Sequence, residues 1–222
     1  MKADAGITLH IYHNSLSQRT KRVLSSDKKT TLYTFEASSF FRITPHATIR
    51  AGSPPGEPKK GSINLGNASI PVVEIEVQGL PRIQLMPTSS MSTAAHEYRS
   101  PALDGQKLKW RADGFFNLGD LVCEDQDQKV FAKLNKTNIS ISKTGTFEVT
   151  SEVADKGDKA VDEIVACGIA LLELQRKLKG ESIGNVEGAL PGNGEDQHRG
   201  TSVLSPWSPV QQTTWHTASM HG

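Results

Sequence analysis

DEIVACGIALLELQRK, residues 162–177, decides how the rest of the chain is read. Ile164 to Leu172 is an unbroken run of nine apolar or small residues, in a chain whose earlier segments alternate in the manner of β-strands. Asp158 suits an N-cap, Asp162 and Glu163 lie toward the positive end of a helix dipole, and Arg176, Lys177 and Lys179 lie toward its negative end, before Gly180. These signals predict a helix over 158–179. Val161, Ile164, Val165, Gly168, Leu171 and Leu172 make one stripe, and Ala166, Cys167, Ile169, Ala170 and Leu174 cover most of the remaining circumference. A helix apolar all round is either enclosed by protein or inserted in lipid. Nine residues at about 1.5 Å each reach roughly 14 Å, far short of the roughly 30 Å of hydrocarbon in a bilayer. The helix is therefore expected in the core. Gly168 in mid-helix costs about 1 kcal/mol relative to Ala, which suggests that something approaches the helix backbone there.

Working outward, the preceding chain reads as short strands. ITLHIY (7–12), TTLYTFE (30–36) and VVEIEV (72–77) alternate, the last with Val73, Ile75 and Val77 opposed to Glu74 and Glu76. KLKWR (107–111) sets Leu108 and Trp110 against Lys107, Lys109 and Arg111, and DLVCED, QKVFAKL, NISIS and TFEVT follow. Lys143-Thr144-Gly145 reads as a hairpin turn between the last two. With the weaker stretches FFRI, ATIR, SINL and RIQLM the count is about ten to twelve strands. Residues 51–61 (AGSPPGEPKKG) read as a surface loop and 88–96 (TSSMSTAAH) as a second soft segment. The expectation is a mainly β fold: an antiparallel barrel of roughly 10–12 strands wrapped around its C-terminal hydrophobic helix. The domain spans 1–179, and the Gly-, Ser-, Thr- and Pro-rich residues 180–222 read as a disordered tail. Trp207 and Trp215 in that tail have the look of a short binding motif.

Length and charge exclude several classes. The 222 residues can bury a core without disulfides, and two cysteines, Cys123 and Cys167, both in apolar context, form neither a disulfide framework nor a metal cluster. With no uninterrupted apolar stretch near Met1, a cytoplasmic monomer is expected, one that meets a membrane only peripherally, with no cofactor, metal or transmembrane segment. The formal net charge is +1, but residues 1–60 carry ten Lys/Arg against four Asp/Glu, a balance of +6. That falls short of a dedicated nucleic-acid binder and is enough to attract anionic lipid or an acidic partner.

The segments Asp104-Gly105-Gln106-Lys107-Leu108-Lys109-Trp110-Arg111, Lys129-Val130-Phe131-Ala132-Lys133 and Val161-Asp162-Glu163-Ile164-Val165, with Leu121, Leu32-Tyr33 and Thr48-Ile49-Arg50, carry a family likeness. They resemble a fungal domain family with the tubby C-terminal-like fold, a group similar to plant LURP-one proteins and phospholipid scramblases. The likeness covers roughly residues 7–178. It departs from the family pattern at Leu108, where Tyr is usual, and in a longer loop before Asp104. The resemblance implies a strand barrel around a final helix. It implies lipid contact only distantly, since other tubby domains bind phosphoinositides through basic side chains on the barrel exterior.

Two groups of cations are candidate binding residues. Lys107, Lys109 and Arg111 share one strand face because strand side chains repeat every two residues. Arg19, Lys21, Arg22, Lys28 and Lys29 flank an apparent turn, RTKRVLSSDKK. Either group suits the phosphates of a membrane phospholipid or an acidic protein partner, in a non-enzymatic module. A second possibility is a carrier enclosing a small apolar ligand beside the helix near Gly168. His10 and His13, three residues apart on a strand, face opposite ways and make no metal site, and Glu74 and Glu76 read as an exposed strand face. No nucleophile-elbow, P-loop, zinc-protease or dinucleotide motif is present.

Overall fold

A computed structural model describes residues 5–14, 17–37, 46–53, 56–66, 72–89, 92–113, 120–137 and 143–178. All of them belong to one compact unit, Met1–Asn185. The tail expected over 180–222 lies outside the described residues, as do NISIS at 138–142 and FFRI at 40–43.

Twelve strands follow in order: β1 (Ala5–Asn14), β2 (Ser17–Leu24), β3 (Thr31–Ala37), β4 (His46–Ala51), β5 (Lys59–Asn64), β6 (Val73–Val77), β7 (Ile83–Ser89), β8 (Ser92–Ser100), β9 (Gln106–Ala112), β10 (Leu121–Glu124), β11 (Val130–Lys136) and β12 (Lys143–Thr150). A 3-10 turn, Pro101–Leu103, separates β8 from β9; a short helix α1 (Ser151–Asp155) and the long helix α2 (Asp158–Leu178) close the sequence. Each strand pairs antiparallel with its neighbours in sequence, and β1 pairs with β12, so the sheet is a closed up-and-down barrel. Closure removes every sheet edge.

Strand alternation sorts the side chains. Leu9 and Ile11 of β1, Tyr33 and Phe35 of β3, Val73, Ile75 and Val77 of β6, Leu108 and Trp110 of β9 and Phe147 and Val149 of β12 are buried on the inner wall. The outer face carries Glu74 and Glu76 on β6 and Lys107, Lys109 and Arg111 on β9, side chains that a strand facing hydrocarbon does not present. Among the described residues no helix is long and apolar enough to cross a membrane.

The final helix runs inside this wall. Thirteen of its twenty-one residues are buried, including the unbroken stretch Glu163–Leu172, and its polar contacts reach β2, β3, β5 and the β8–β9 connection. Gly157, at φ +94°, permits the reversal that turns the chain from α1 back into the barrel, and its carbonyl accepts from the Ala160 N–H at 3.1 Å. Lys60, at the start of β5, bonds Asp162 in the first turns of α2, and Lys177 in its last turn bonds the carbonyl of Gly66 just beyond β5 at 3.0 Å. So β5 and the other odd strands run with the helix, and the even strands run against it. The barrel has a helix-start end and a helix-finish end.

Three sequence expectations change. Residues 17–24 form β2 rather than the flank of a turn, the turn being 25–30. Residues 92–96, read as soft, begin β8. Lys143-Thr144-Gly145, read as a hairpin turn, lies inside β12, where a register irregularity separates the Ile11–Gly145 pair from the Tyr12–Lys143 pair.

Gly168 explains the slim waist of the helix. A methyl group there would lie 2.5 Å from Phe147 Cε2 and 3.0 Å from Trp110 Cη2. Those two rings meet edge-on with centroids 6.0 Å apart. The space beside Gly168 is thus taken up by the aromatic rings of Phe147 and Trp110. Gly168→Ala should lower the urea midpoint: overpacking of about 1–3 kcal/mol outweighs the roughly 1 kcal/mol gain in helix propensity. Equal or greater stability of the variant would show that the rings move aside.

Candidate functional site

The β9 cations lie side by side on the outer face, but each faces acid. Lys107 pairs with Glu97 of β8 at 2.8 Å, and Arg111 makes a two-pronged contact with Glu124 of β10, Nε and Nη2 each at 2.7 Å. Those bonds push the Arg111 guanidinium further toward its charged form. Lys109 stands in register opposite Glu97 on one side and Glu124 on the other. Cross-strand ion pairs of this sort stabilise a sheet and leave little field for a ligand. The same pattern continues in Arg50–Glu36 and in Arg82, which bridges Glu74 and Glu76.

The second group does not converge. Arg22 is exposed on the outer face of β2, while its neighbour Lys21 points inward and is buried, because successive strand residues face opposite ways. Lys28 and Lys29 are exposed in the β2–β3 turn at the helix-start end. Arg19 is in β2, and its side chain lies outside the described residues.

Lys21 leads to the arrangement that sequence reasoning missed. Its ammonium pairs with Glu173 of α2, the two side chains being 5% and 13% exposed. Burial pushes the Lys21 pKa down, opposed by Glu173 and reinforced by Arg176 and Lys136. Arg176, 15% exposed, has Nη1 3.7 Å from Glu173 Oε2, beyond hydrogen-bond distance, and that Nη1 is buried with no hydrogen-bond partner. His13 stands directly across from Lys21 in the β1–β2 pairing, and its Nδ1 is likewise buried and unpartnered. Burial first, then Lys21 and Arg176, push the His13 pKa down and keep the ring neutral. Lys136 ends β11, two residues beyond the buried Leu134 and so on the same inner face. Its backbone N–H donates to Asp120 at 2.6 Å. All of this sits at the helix-finish end. The one signal for it in the sequence is Glu173, a carboxylate wedged between Leu172 and Leu174.

Two further polar groups hold the other half of the helix. Asp162 accepts from the Tyr33 hydroxyl at 2.5 Å and from Lys60 at 2.9 Å, with the Lys60 ammonium 5.3 Å from the Tyr33 ring centre. Glu163 is fully buried; Oε2 accepts from the Ala102 N–H at 2.9 Å, and the Ser100 and Tyr98 hydroxyls lie close to the carboxyl. Burial pushes the Glu163 carboxyl pKa up, and also those of Tyr98, Cys123 and Cys167 beside it. Thiols held this strongly protonated are poor nucleophiles. His10 and His13 face opposite sides of β1, and among the described residues no three His, Cys, Asp or Glu side chains gather as metal ligands.

No protein-family model matches the chain, and neither a curated protein nor a solved structure matches it.

Glu163 makes a pH prediction. Its folded pKa lies above the unfolded value near 4.5, so its neutral form favours the folded state. That contribution is complete below the unfolded value and is lost as pH rises through the folded one. Glu163→Gln stays neutral throughout, so its stability relative to wild type should rise between pH 4 and pH 7. Thermal melts at both pH values check this; a pH-independent difference would mean that Glu163 ionises like a surface carboxyl.

Proposed function

We propose that this chain is a non-enzymatic binding module that docks on an anionic phospholipid surface with the helix-finish end of its barrel. The observation that carries the reading is that α2 fills the barrel, with Phe147 and Trp110 against Gly168, so that contact with a partner falls to the outside and the ends. Among the described residues this end gathers inner cations in excess: Lys21, Arg176 and Lys136 around the inner carboxylate Glu173, with Lys177 exposed in the last turn. The β9 row is matched by Glu97 and Glu124 and contributes less. We also group the chain with the tubby C-terminal-like domains, on the resemblance of Asp104–Arg111, Lys129–Lys133 and Val161–Val165; a twelve-stranded barrel with a C-terminal helix supports that grouping.

Each cation near an anionic bilayer contributes about 1 kcal/mol. Wild-type protein should co-sediment with phosphatidylserine-containing vesicles at low salt, not with phosphatidylcholine vesicles, and should be released by high salt. Reversal of Lys136 and Lys177 to Glu should weaken binding at least about tenfold, whereas reversal of Lys107, Lys109 and Arg111 to Glu should weaken it less. Absence of wild-type binding at low salt would end the lipid reading, and the opposite ranking of the two variants would move the contact to β9.

A further inference from the structure

We infer that the helix-finish end contains a built site for one phosphate group, formed by Lys21, Arg176, Lys136 and His13. The inference rests on the reading just given and sharpens it from a charged surface to a defined pocket of donors. Four consecutive strands supply its wall: β11 gives Lys136, β12 the irregular stretch Lys143–Gly145, β1 His13 and β2 Lys21. The helix closes it with Glu173 and Arg176.

Three features set this place apart. First, charge: among the described residues three cations face one inner carboxylate, Glu173, while Asp120 accepts from the Lys136 backbone N–H. Enclosed cations in such excess are costly unless an anion joins them. Second, unused donors: Arg176 Nη1, His13 Nδ1 and Thr144 Oγ1 are all buried without partners, and all three come from the elements around this end. An arginine N–H can only donate, and a neutral histidine or a threonine hydroxyl can donate as well. Arg176 Nη1 needs an acceptor and the other two atoms can each donate to one, and a phosphate has several oxygens to offer. Third, Lys21 is held in place by Glu173 inside the wall, so its charge is fixed before any ligand arrives. Of the other buried orphans among the described residues, Tyr98 Oη, Glu163 Oε1 and Trp110 Nε1 lie among the apolar side chains and thiols around mid-helix and include an acceptor as well as donors, while His10 Nδ1, paired in register with Leu24, and Thr150 Oγ1, at the end of β12, lie toward the helix-start end.

The phosphate can belong to a lipid headgroup or to a soluble ester, and titration distinguishes the two. Inorganic phosphate added to the full chain at low ionic strength, followed by calorimetry and thermal shift, should bind and raise the melting temperature. Arg176→Gln should weaken that binding at least about tenfold, the loss expected for one charge-assisted hydrogen bond. Lys136→Gln, at the outer margin of the site, serves where the first variant fails to fold, and should weaken binding by a similar factor. Chloride at equal ionic strength should not substitute. No phosphate binding by the wild type, or binding unchanged in both folded variants, overturns the site. Vesicles of phosphatidate in phosphatidylcholine provide the second arm. Capture by the wild type and loss in Arg176→Gln assigns the phosphate to a lipid. Phosphate binding without vesicle capture keeps the site, for a soluble ester, and removes the membrane reading. Vesicle capture equal in wild type and variant, with no phosphate binding, keeps the membrane reading and removes the site.

Discussion

A barrel of twelve strands has to be filled, and that requirement governs the rest of the structure. Diameter grows with strand number, and about eight strands already leave only enough room for side chains from the wall. Twelve leave a bore that wall residues alone do not close. Water there would face Leu9, Ile75, Leu108 and Phe147, so an apolar rod is needed, and Ile164–Leu172 provides one. The rod must be slim where the wall is bulky, hence Gly168 against Phe147 and Trp110, with Ala166 and Ala170 on nearby turns. A helix with one polar face could not serve, because every face meets a strand.

An apolar rod in an apolar sleeve has little to fix its rotation or its depth. The buried polar contacts supply that. Asp162 is tied to β3 and β5, Glu163 to the backbone beyond β8, and Glu173 to β2. Asp162 and Glu163 point to different parts of the wall and Glu173 lies roughly 15 Å further along the helix, so a slide by one turn would part all three from their partners. Breaking a buried charge pair costs several kcal/mol, whereas well-fitted apolar replacements can be neutral. Their value here is positional: they select one seating of α2 among several of similar apolar area.

The fold was legible in the sequence wherever the inner wall is apolar. VVEIEV, KLKWR and TFEVT declare themselves because inner and outer residues differ in kind. The misread strands are those with polar inner residues. β2 carries Lys21 inward, and β8 carries His96, Tyr98 and Ser100, so neither shows a clean alternation. The β9 cations were equally visible, but their neutralisation was not, since Glu97 and Glu124 become neighbours only through strand register. The cationic mouth was invisible for the same reason: His13, Lys21, Lys136 and Arg176 are far apart in sequence, and only barrel closure makes β11, β12, β1 and β2 adjacent.

The two ends of the barrel differ because the number of strands is even. An even meander returns β12 to the end where β1 began, and α1 must cross there before α2 can enter; its first residue, Ser151, crowds Gly6 of β1. The 3-10 turn at Pro101–Leu103 and the Lys159 contact with the Gly79 carbonyl add to the cover at that end. No such crossing is required at the other end, where α2 simply finishes. Its last turns bring Glu173, Arg176 and Lys177 to that end, where the inner side chains of β1, β2 and β11 include His13, Lys21 and Lys136. The structural difference between the two ends follows from strand parity and chain direction, before any ligand is considered.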